Sequence, residues 1–311
     1  MIDFEPTEEQ ALIVETVHQF AENEIRPIAR ESDESGSLSQ AALNGAHELG
    51  LVANGIPEEY GGGGEPSAML GCLIAEELAW GDLSSALGIL SPSLLATPVA
   101  RFGTEEQRAR ILPTLTGPKF VPGALAAVEP RFDSDVHRPQ TTAKPEGNGF
   151  RIEGIKCQVP WIEGGNEVLV FAESEGSTQG FLVPRDADGL TAELEKNLGT
   201  HALPMAELTF SGVQVPASAR LGGDTAPGVS ELIDRGRVGL AACAVGMSRA
   251  ALEVSRDYAK ERETFGSPIA TRQAIAFKIA DMAIEIDGAR MLTWEAACAL
   301  DGGKPSARLA T

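Results

Sequence analysis

The 311-residue chain is short of basic residues, aromatics and cysteine. Lys and Arg number 25 against 45 Asp and Glu, so the net charge at pH 7 is −20. That balance argues against a nucleic-acid binder, which needs a basic footprint to displace counterions from phosphate. An anionic substrate would need a local basic patch on this acidic body. Aromatics, at 5%, are sparse within an otherwise ordinary globular composition. The four cysteines, Cys72, Cys157, Cys243 and Cys298, are far apart and form no Cys-x-x-Cys pair, which weakens zinc and thioredoxin-like readings. Three of them lie in Ala/Leu/Ile-rich helical patterns, where buried free thiols are expected. No metal site is assigned. The first seven residues lack the basic and apolar regions of a secretory signal. No unbroken apolar run approaches the roughly 20 residues that span a bilayer. The expectation is therefore a cytoplasmic protein with no membrane span. No internal repeat is visible.

A chain of this length can bury a substantial core and suggests two or three domains. Thr7-Glu-Glu-Gln10 reads as a capping box, followed by an apolar stripe at Ala11, Val14, Val17, Ala21, Ile25 and Ile28. A second helix is expected at about Gln40 to Leu51. Four glycines after Tyr60 mark a loop; no strand leads into it and no Lys-Ser/Thr follows, so a phosphate-binding reading is weak. Ser67 to Trp80 should be a buried helix. Ser84 to Phe102 continues helical, with breaks near Ser91-Pro92 and Pro98. Thr104-Glu-Glu-Gln107 caps another helix through Leu115.

After Pro118 the period changes to short apolar runs with turns. Strands are expected at Val121–Val128, Gln140–Lys144, Phe150–Glu153, Val168–Ala172, Gly180–Pro184, Leu190–Leu194 and Ala206–Val213. Asn148-Gly149 supplies the hairpin turn before Phe150. From Gly228 the chain returns to helix: one to about Thr264, one from Thr271 to Leu300, and a third from near Pro305. The order α, β, α gives an α+β chain. Its expected domains are an N-terminal helical domain at 1–118, a middle antiparallel β-barrel-like domain at 119–225 and a C-terminal helical bundle at 226–311.

Several motifs sit in this order. They are Pro57-Glu-Glu-Tyr-Gly-Gly62, Glu76-Glu-Leu-Ala-Trp80, Phe102-Gly-Thr-Glu-Glu-Gln-Arg108 and Val128-Glu-Pro-Arg-Phe-Asp-Ser-Asp135. Gly154-Ile-Lys-Cys-Gln-Val-Pro160 and Glu261-Arg-Glu-Thr-Phe-Gly-Ser-Pro-Ile269 complete the set. Collinear and correctly spaced, they resemble the acyl-CoA dehydrogenase family over essentially the whole chain.

The resemblance implies FAD as cofactor and α,β-dehydrogenation of an acyl-CoA. It further implies an electron-transferring flavoprotein as acceptor and a homo- or hetero-oligomer, dimer or tetramer. It assigns the cofactor to Leu125, Ala127, Val128, Ser134, Gln158 and Pro160 in the β region, and to Arg262, Phe265 and Gln273 in the last region. There, a neighbouring subunit's flavin is contacted. Ser134, Asp234 and Arg237 are the implied substrate contacts, Arg237 because a guanidinium suits phosphate or carbonyl groups.

The sequence also departs from the family. Val128 replaces a threonine and has no side-chain hydrogen bond to offer. Asp133 replaces a glycine and adds negative charge near the expected pyrophosphate; at effective dielectric ~20, two unit charges about 4 Å apart interact by roughly 4 kcal/mol. Gln158 and Pro160 stand where the family has tryptophan and threonine. Trp161 is open to two readings, as a substitute ring or as a core residue. Gly236 occupies one place where some members carry the catalytic glutamate, and the usual glutamate lies beyond Thr311. No catalytic residue is therefore assigned, and the last domain is expected to be incomplete. Two alternatives stand beside an incomplete dehydrogenase. One is a non-catalytic partner subunit of a heteromeric acyl-CoA dehydrogenase. The other is an acyl-CoA- or protein-binding member without activity. A flavin oxidase of related fold is a further reading.

Overall fold

The computed structural model describes residues 6–64, 66–225 and 228–304. Seven helices come first: α1 (Glu8–Phe20), α2 (Ala29–Ser35), α3 (Gln40–Glu48), α4 (Ala68–Gly81), α5 (Leu83–Leu90), α6 (Ser93–Phe102) and α7 (Glu105–Leu115). The strands follow: β1 (Leu125–Ala126), β2 (Thr142–Glu146), β3 (Gly149–Pro160), β4 (Glu167–Ser174), β5 (Ser177–Pro184), β6 (Leu190–Leu194) and β7 (Met205–Pro216). Then come α8 (Val229–Glu261), a small hairpin of β8 (Glu263–Thr264) and β9 (Ser267–Pro268), and α9 (Gln273–Asp301). The α+β order stands. The helix expected from Pro305 lies outside the described residues.

Both capping boxes form. Thr7 and Thr104 each accept the amide three residues on, and Gln10 and Gln107 return the bond. The stripe from Ala11 to Ile28 is not one regular helix. After Phe20 the backbone widens to a π-turn at Ala21–Ile25 and tightens to a 3₁₀ turn at Arg26–Ile28, where Pro27 has no N–H to give. Val17, Ala21 and Ile25 are nevertheless all fully buried. The expected break at Pro98 does not occur; α6 runs through it. The strand expected over Val121–Val128 shrinks to Leu125–Ala126, with Pro122 and Gly123 ahead of it.

The chain divides into two compact units, residues 30–66 with 87–233, and residues 1–29 with 67–86 and 234–311. In the first, a seven-stranded sheet runs β1-β4-β2-β3-β7-β6, with β5 on the other edge of β4. The sheet is mixed rather than antiparallel: β1 and β2 both pair parallel to β4. The β2–β3 hairpin turns at Gly147-Asn148 between paired Glu146 and Gly149, and β3 then pairs with β7 over most of its length. β4 is buried on both faces. Val168, Val170 and Ala172 join the core with Phe181, Leu208 and Phe210. Leu169 and Phe171 face Ile56, Leu95, Val99 and Leu112 instead. This is why β4 reads as a continuous apolar run.

In the second unit, α4 is the central helix, nearly continuous in burial from Cys72 to Trp80. Its two buried carboxylates are paired. Arg249 forks Glu77 and reaches Glu76 at 3.2 Å, Arg290 Nε meets Glu76 at 3.0 Å, and His18 Nδ1 lies 2.8 Å from Glu77. Burial pushes the Glu76 carboxyl above the ordinary carboxylate range, against the pull of Arg290 and Arg249. Burial pushes Glu77 the same way, but the Arg249 and His18 contacts outweigh it and hold Glu77 below that range. At Gly246, α8 crosses the α4 backbone: a Cβ there would lie 2.0 Å from the Glu76 carbonyl oxygen. Cys72 and Cys243 are buried free thiols, and burial pushes Cys243 up to about 11.

Two stretches, Leu83–Phe102 and Val229–Glu261, match a membrane span in length and composition, with mean hydropathies of 1.4 and 1.3. A search for unbroken apolar runs misses both. The first is divided between α5 and α6, and the second carries Arg249 and Glu253, which bond Glu77 and Trp80 of α4. A charged residue at a bilayer centre costs ~2.5–3.5 kcal/mol by insertion scales. The first stretch is mostly buried in the fold, whereas α8 is mostly exposed and is anchored to α4 by these polar contacts.

Two outcomes follow from this packing. Gly246→Ala gains about 1 kcal/mol of helix propensity but forces two backbones apart, so we expect a net loss of about 1–3 kcal/mol in urea unfolding; an unchanged or raised midpoint would refute the close crossing. Glu77 has a lowered folded pKa, so its contribution is complete above its unfolded value of 4.5 and fades as pH falls through the folded value. Melting temperatures of wild type and Glu77→Gln, compared from pH 7 down to pH 3, should differ most at pH 7 and converge on acidification.

Candidate cofactor and substrate site

The β unit presents a short loop after β1. The Ala127 carbonyl accepts from Lys156 Nζ at 3.2 Å, and the Val128 carbonyl accepts from the Cys157 amide at 3.0 Å. The Glu129 amide donates to Ser134 Oγ at 3.1 Å and closes the turn. The Glu129 carboxylate accepts from Thr141 N at 2.8 Å, Gln140 N at 2.9 Å and Lys156 Nζ at 3.1 Å. Burial alone would raise its pKa, but the two amides and Lys156 outweigh burial and hold it below the ordinary range. Among the described residues, the Ala127 and Val128 amides meet no acceptor, although both residues reach the surface. Two unsatisfied donors at an accessible loop suit a carbonyl-rich or anionic ligand edge.

Of the residues expected to bind cofactor, Leu125 is held in β1 opposite Leu169, and Ala127, Val128 and Ser134 share this turn. Gln158 follows directly on Cys157, so it adjoins the turn. It sits at φ 54° in an irregularity of β3 between Lys156 and Val159, and its amide donates to Glu195. Pro160 pairs with Met205 at the strand end. Trp161 packs against the sheet core under the Arg185 guanidinium, 4.1 Å from its ring centre, which favours the core reading. The charge of Asp133 is compensated: Arg131 grips it with Nε at 2.9 Å and Nη2 at 2.8 Å, and holds its carboxyl below the ordinary range. The repulsion expected from sequence is corrected accordingly.

The helical unit carries the remaining residues at opposite ends of α8. Asp234 is nearly buried and lies 3.5 Å from Arg237 Nη1. Between them Gly236 faces open space, with nothing within 4 Å of where a Cβ would be. Arg262 directly follows α8, is exposed, and its guanidinium has no partner among the described residues. Phe265 sits at the tip of the β8–β9 hairpin at φ 53°, 99% exposed, and Gln273 opens α9. At 1.5 Å per residue, Arg237 and Arg262 stand roughly 37 Å apart along the helix. They cannot meet at one point of a ligand.

α8 and α9 also leave apolar stripes uncovered. Leu240, Met247 and Val254 recur every seven residues on α8, as do Phe277, Ile284 and Met291 on α9, and all six are exposed. A cavity of about 480 Å³ between the helices is lined by Ala241, Ala244, Ala251 and Ala289 together with larger side chains such as Met282, Glu285 and Ile286.

Comparison with known proteins decides the family. Residues 7–117 match the N-terminal domain model of acyl-CoA dehydrogenase, and residues 228–311 match its C-terminal domain model. The chain is 37% identical over 316 residues to a probable acyl-CoA dehydrogenase, YngJ, of Bacillus subtilis, covering 98% of this chain and 82% of that protein. The chain belongs to the acyl-CoA dehydrogenase family. Its fold superposes on butyryl-CoA dehydrogenase from Megasphaera elsdenii with a TM-score of 0.89 at 32% identity, over 99% of this chain and 84% of that one. A glutaryl-CoA dehydrogenase from Mycobacterium smegmatis, solved in complex with FADH2, gives a TM-score of 0.86 at 26% identity, over 98% and 82%.

Within the family frame, sequence reading missed Lys156, Glu129 and Arg131. A signal was available for the first. Ile152 and Lys156 are four residues apart on β3, so both face inward, and an inward lysine demands a carboxylate.

Proposed function

We propose that this protein binds FAD at the Ala127–Ser134 turn and belongs to the machinery that dehydrogenates an acyl-CoA between its α and β carbons. The observation that carries this reading is the pair of unsatisfied, surface-reaching amides at Ala127 and Val128. They are donors that do not depend on the side chain at position 128. The likeness to butyryl-CoA dehydrogenase supports a short acyl chain. FAD, when bound, takes up the hydride that leaves the β-carbon. The protein's own residues have three tasks. The turn amides and Ser134 hold the cofactor, while Leu125, Gln158 and Pro160 border it. Arg237, steadied by Asp234, takes the CoA portion of the substrate. Arg262, Phe265 and Gln273 project from one protomer toward the cofactor of another. Electrons then pass to an electron-transferring flavoprotein.

Removing the α-proton needs a carboxylate within hydrogen-bond reach. We assign none in this chain; the α8 place for it is Gly236. A second reading, in which the chain lends Arg262 and Phe265 to a catalytic partner subunit, is favoured by the exposure of the β8–β9 hairpin. One experiment separates the two. Anaerobic mixing of the FAD-loaded chain with butyryl-CoA should leave the oxidised flavin band unbleached. Gly236→Glu has room for its side chain and should bleach faster by roughly 10²–10⁴-fold, the usual worth of a general base. Rapid bleaching by wild type would show that another carboxylate serves. Failure of Gly236→Glu to bleach while holding FAD would favour the partner-subunit reading.

Oligomerisation belongs to the same proposal. The exposed stripes on α8 and α9 should drive the 311-residue chain into a dimer, tetramer or larger association. Light scattering after gel filtration should report this, and Val254→Glu with Ile284→Glu should lower the mass. A monodisperse wild-type monomer would rule it out.

A further inference from the structure

Lys156 is fully buried, a state that a lysine tolerates only with its charge paired. Burial lowers its pKa, and Glu129 opposes that shift. Its ammonium has two recorded acceptors, the Glu129 carboxylate at 3.1 Å and the Ala127 carbonyl at 3.2 Å. The second contact has a geometric consequence. Across a trans peptide the carbonyl of one residue and the N–H of the next point in opposite directions. No peptide of this chain is cis. With the Ala127 carbonyl drawn inward to Lys156, the Val128 N–H must point away from the sheet interior. The next peptide behaves alike. The Val128 carbonyl is drawn to Cys157 N, and the Glu129 N–H points the other way, to Ser134 Oγ.

We infer that Lys156, with Glu129 as its counter-ion, is a positioning residue that aims the Val128 amide at the cofactor; this rests on the flavin reading above. Glu129 anchors the lysine because its own carboxylate is fixed to two β2-side amides, those of Gln140 and Thr141. The charge of the pair is never offered to ligand. It sets the plane of one peptide, and that peptide supplies the donor.

The test uses the full chain and reads binding rather than turnover. FAD titration of apoprotein, followed by flavin fluorescence, gives the affinity of wild type and of the charge-free pair Lys156→Met/Glu129→Gln. The double variant should melt cooperatively yet bind FAD about tenfold or more weakly, as when an outer partner that orients a ligand shell is removed. Equal affinity in a folded double variant would overturn the positioning role and leave the flavin reading intact. No FAD binding by wild type would overturn the flavin reading, and the positioning role with it. A second measurement needs no variant and covers the case in which the double variant does not fold. In ¹⁵N-valine-labelled wild type, the Val128 amide resonance should move and gain exchange protection when FAD is added. A Val128 amide that stays unmoved and unprotected with FAD bound would overturn the inference.

Discussion

A carboxylate can be buried only if its lone pairs find donors and its charge finds a cation. Both units of this protein are organised around that constraint. In the helical unit, Glu76 and Glu77 on α4 gather Arg249 from α8, Arg290 from α9 and His18 from α1. Three helices are thereby fixed in register against one. In the β unit, Glu129 gathers Lys156 from β3 and two amides beside β2. Apolar packing alone would let helices slide by a turn or a strand end drift. Removing one partner of such a pair leaves an uncompensated charge, at a cost of about 3–5 kcal/mol, so these arrangements have few near neighbours in energy.

The sheet supplies the stiffness that makes the Glu129 arrangement useful. β4 is buried on both faces, and β1 is held parallel beside it through Leu125 and Ala126. The chain then leaves the ladder at Ala127. From that residue on, side-chain and main-chain donors of β3 replace strand pairing as the control on backbone direction. The proposed site is thus the first few residues past a rigid edge, where amides are freed from the ladder without being free to rotate.

Much of this was legible in the sequence, for identifiable reasons. Capping boxes at Thr7 and Thr104 are local, four residues wide, and formed as written. The β2–β3 hairpin and the α–β–α order also rest on local chemistry and period, although the turn falls one residue earlier than Asn148-Gly149, at Gly147-Asn148. Long-range pairings were not legible. Even the local pair of Arg131 with Asp133, two residues on, is not announced by its spacing, since Arg131 could equally face solvent. Nothing near Lys156 names Glu129, 27 residues earlier, as its partner. The parallel pairs of β1 and β2 with β4 join segments that no turn connects. The stripe through Ile28 holds at Val17, Ala21 and Ile25, which are buried, while Ala11 is exposed and Val14 and Ile28 are half-buried; helix regularity fails where Pro27 removes a backbone donor.

The same bookkeeping of cations explains how so acidic a chain can meet an anionic ligand. With 25 basic residues against 45 acidic ones, most inward cations are already engaged. Arg249 and Arg290 serve α4, Lys156 serves Glu129, Arg131 grips Asp133, and Arg185 lies over Trp161. In the β unit the turn offers main-chain donors: the Ala127 and Val128 amides carry partial positive charge and need no lysine or arginine to do so. In the helical unit Arg262 is set out on the surface three residues before an exposed Phe265, and its guanidinium has no partner among the described residues. A backbone donor on one unit and a guanidinium held about seven helical turns from Arg237 on the other are complementary if a second copy brings the guanidinium. On the proposed reading the acidic surface is no obstacle to cofactor binding, because the proposed binding groups are amides fixed by buried charge and an arginine with no carboxylate partner among the described residues.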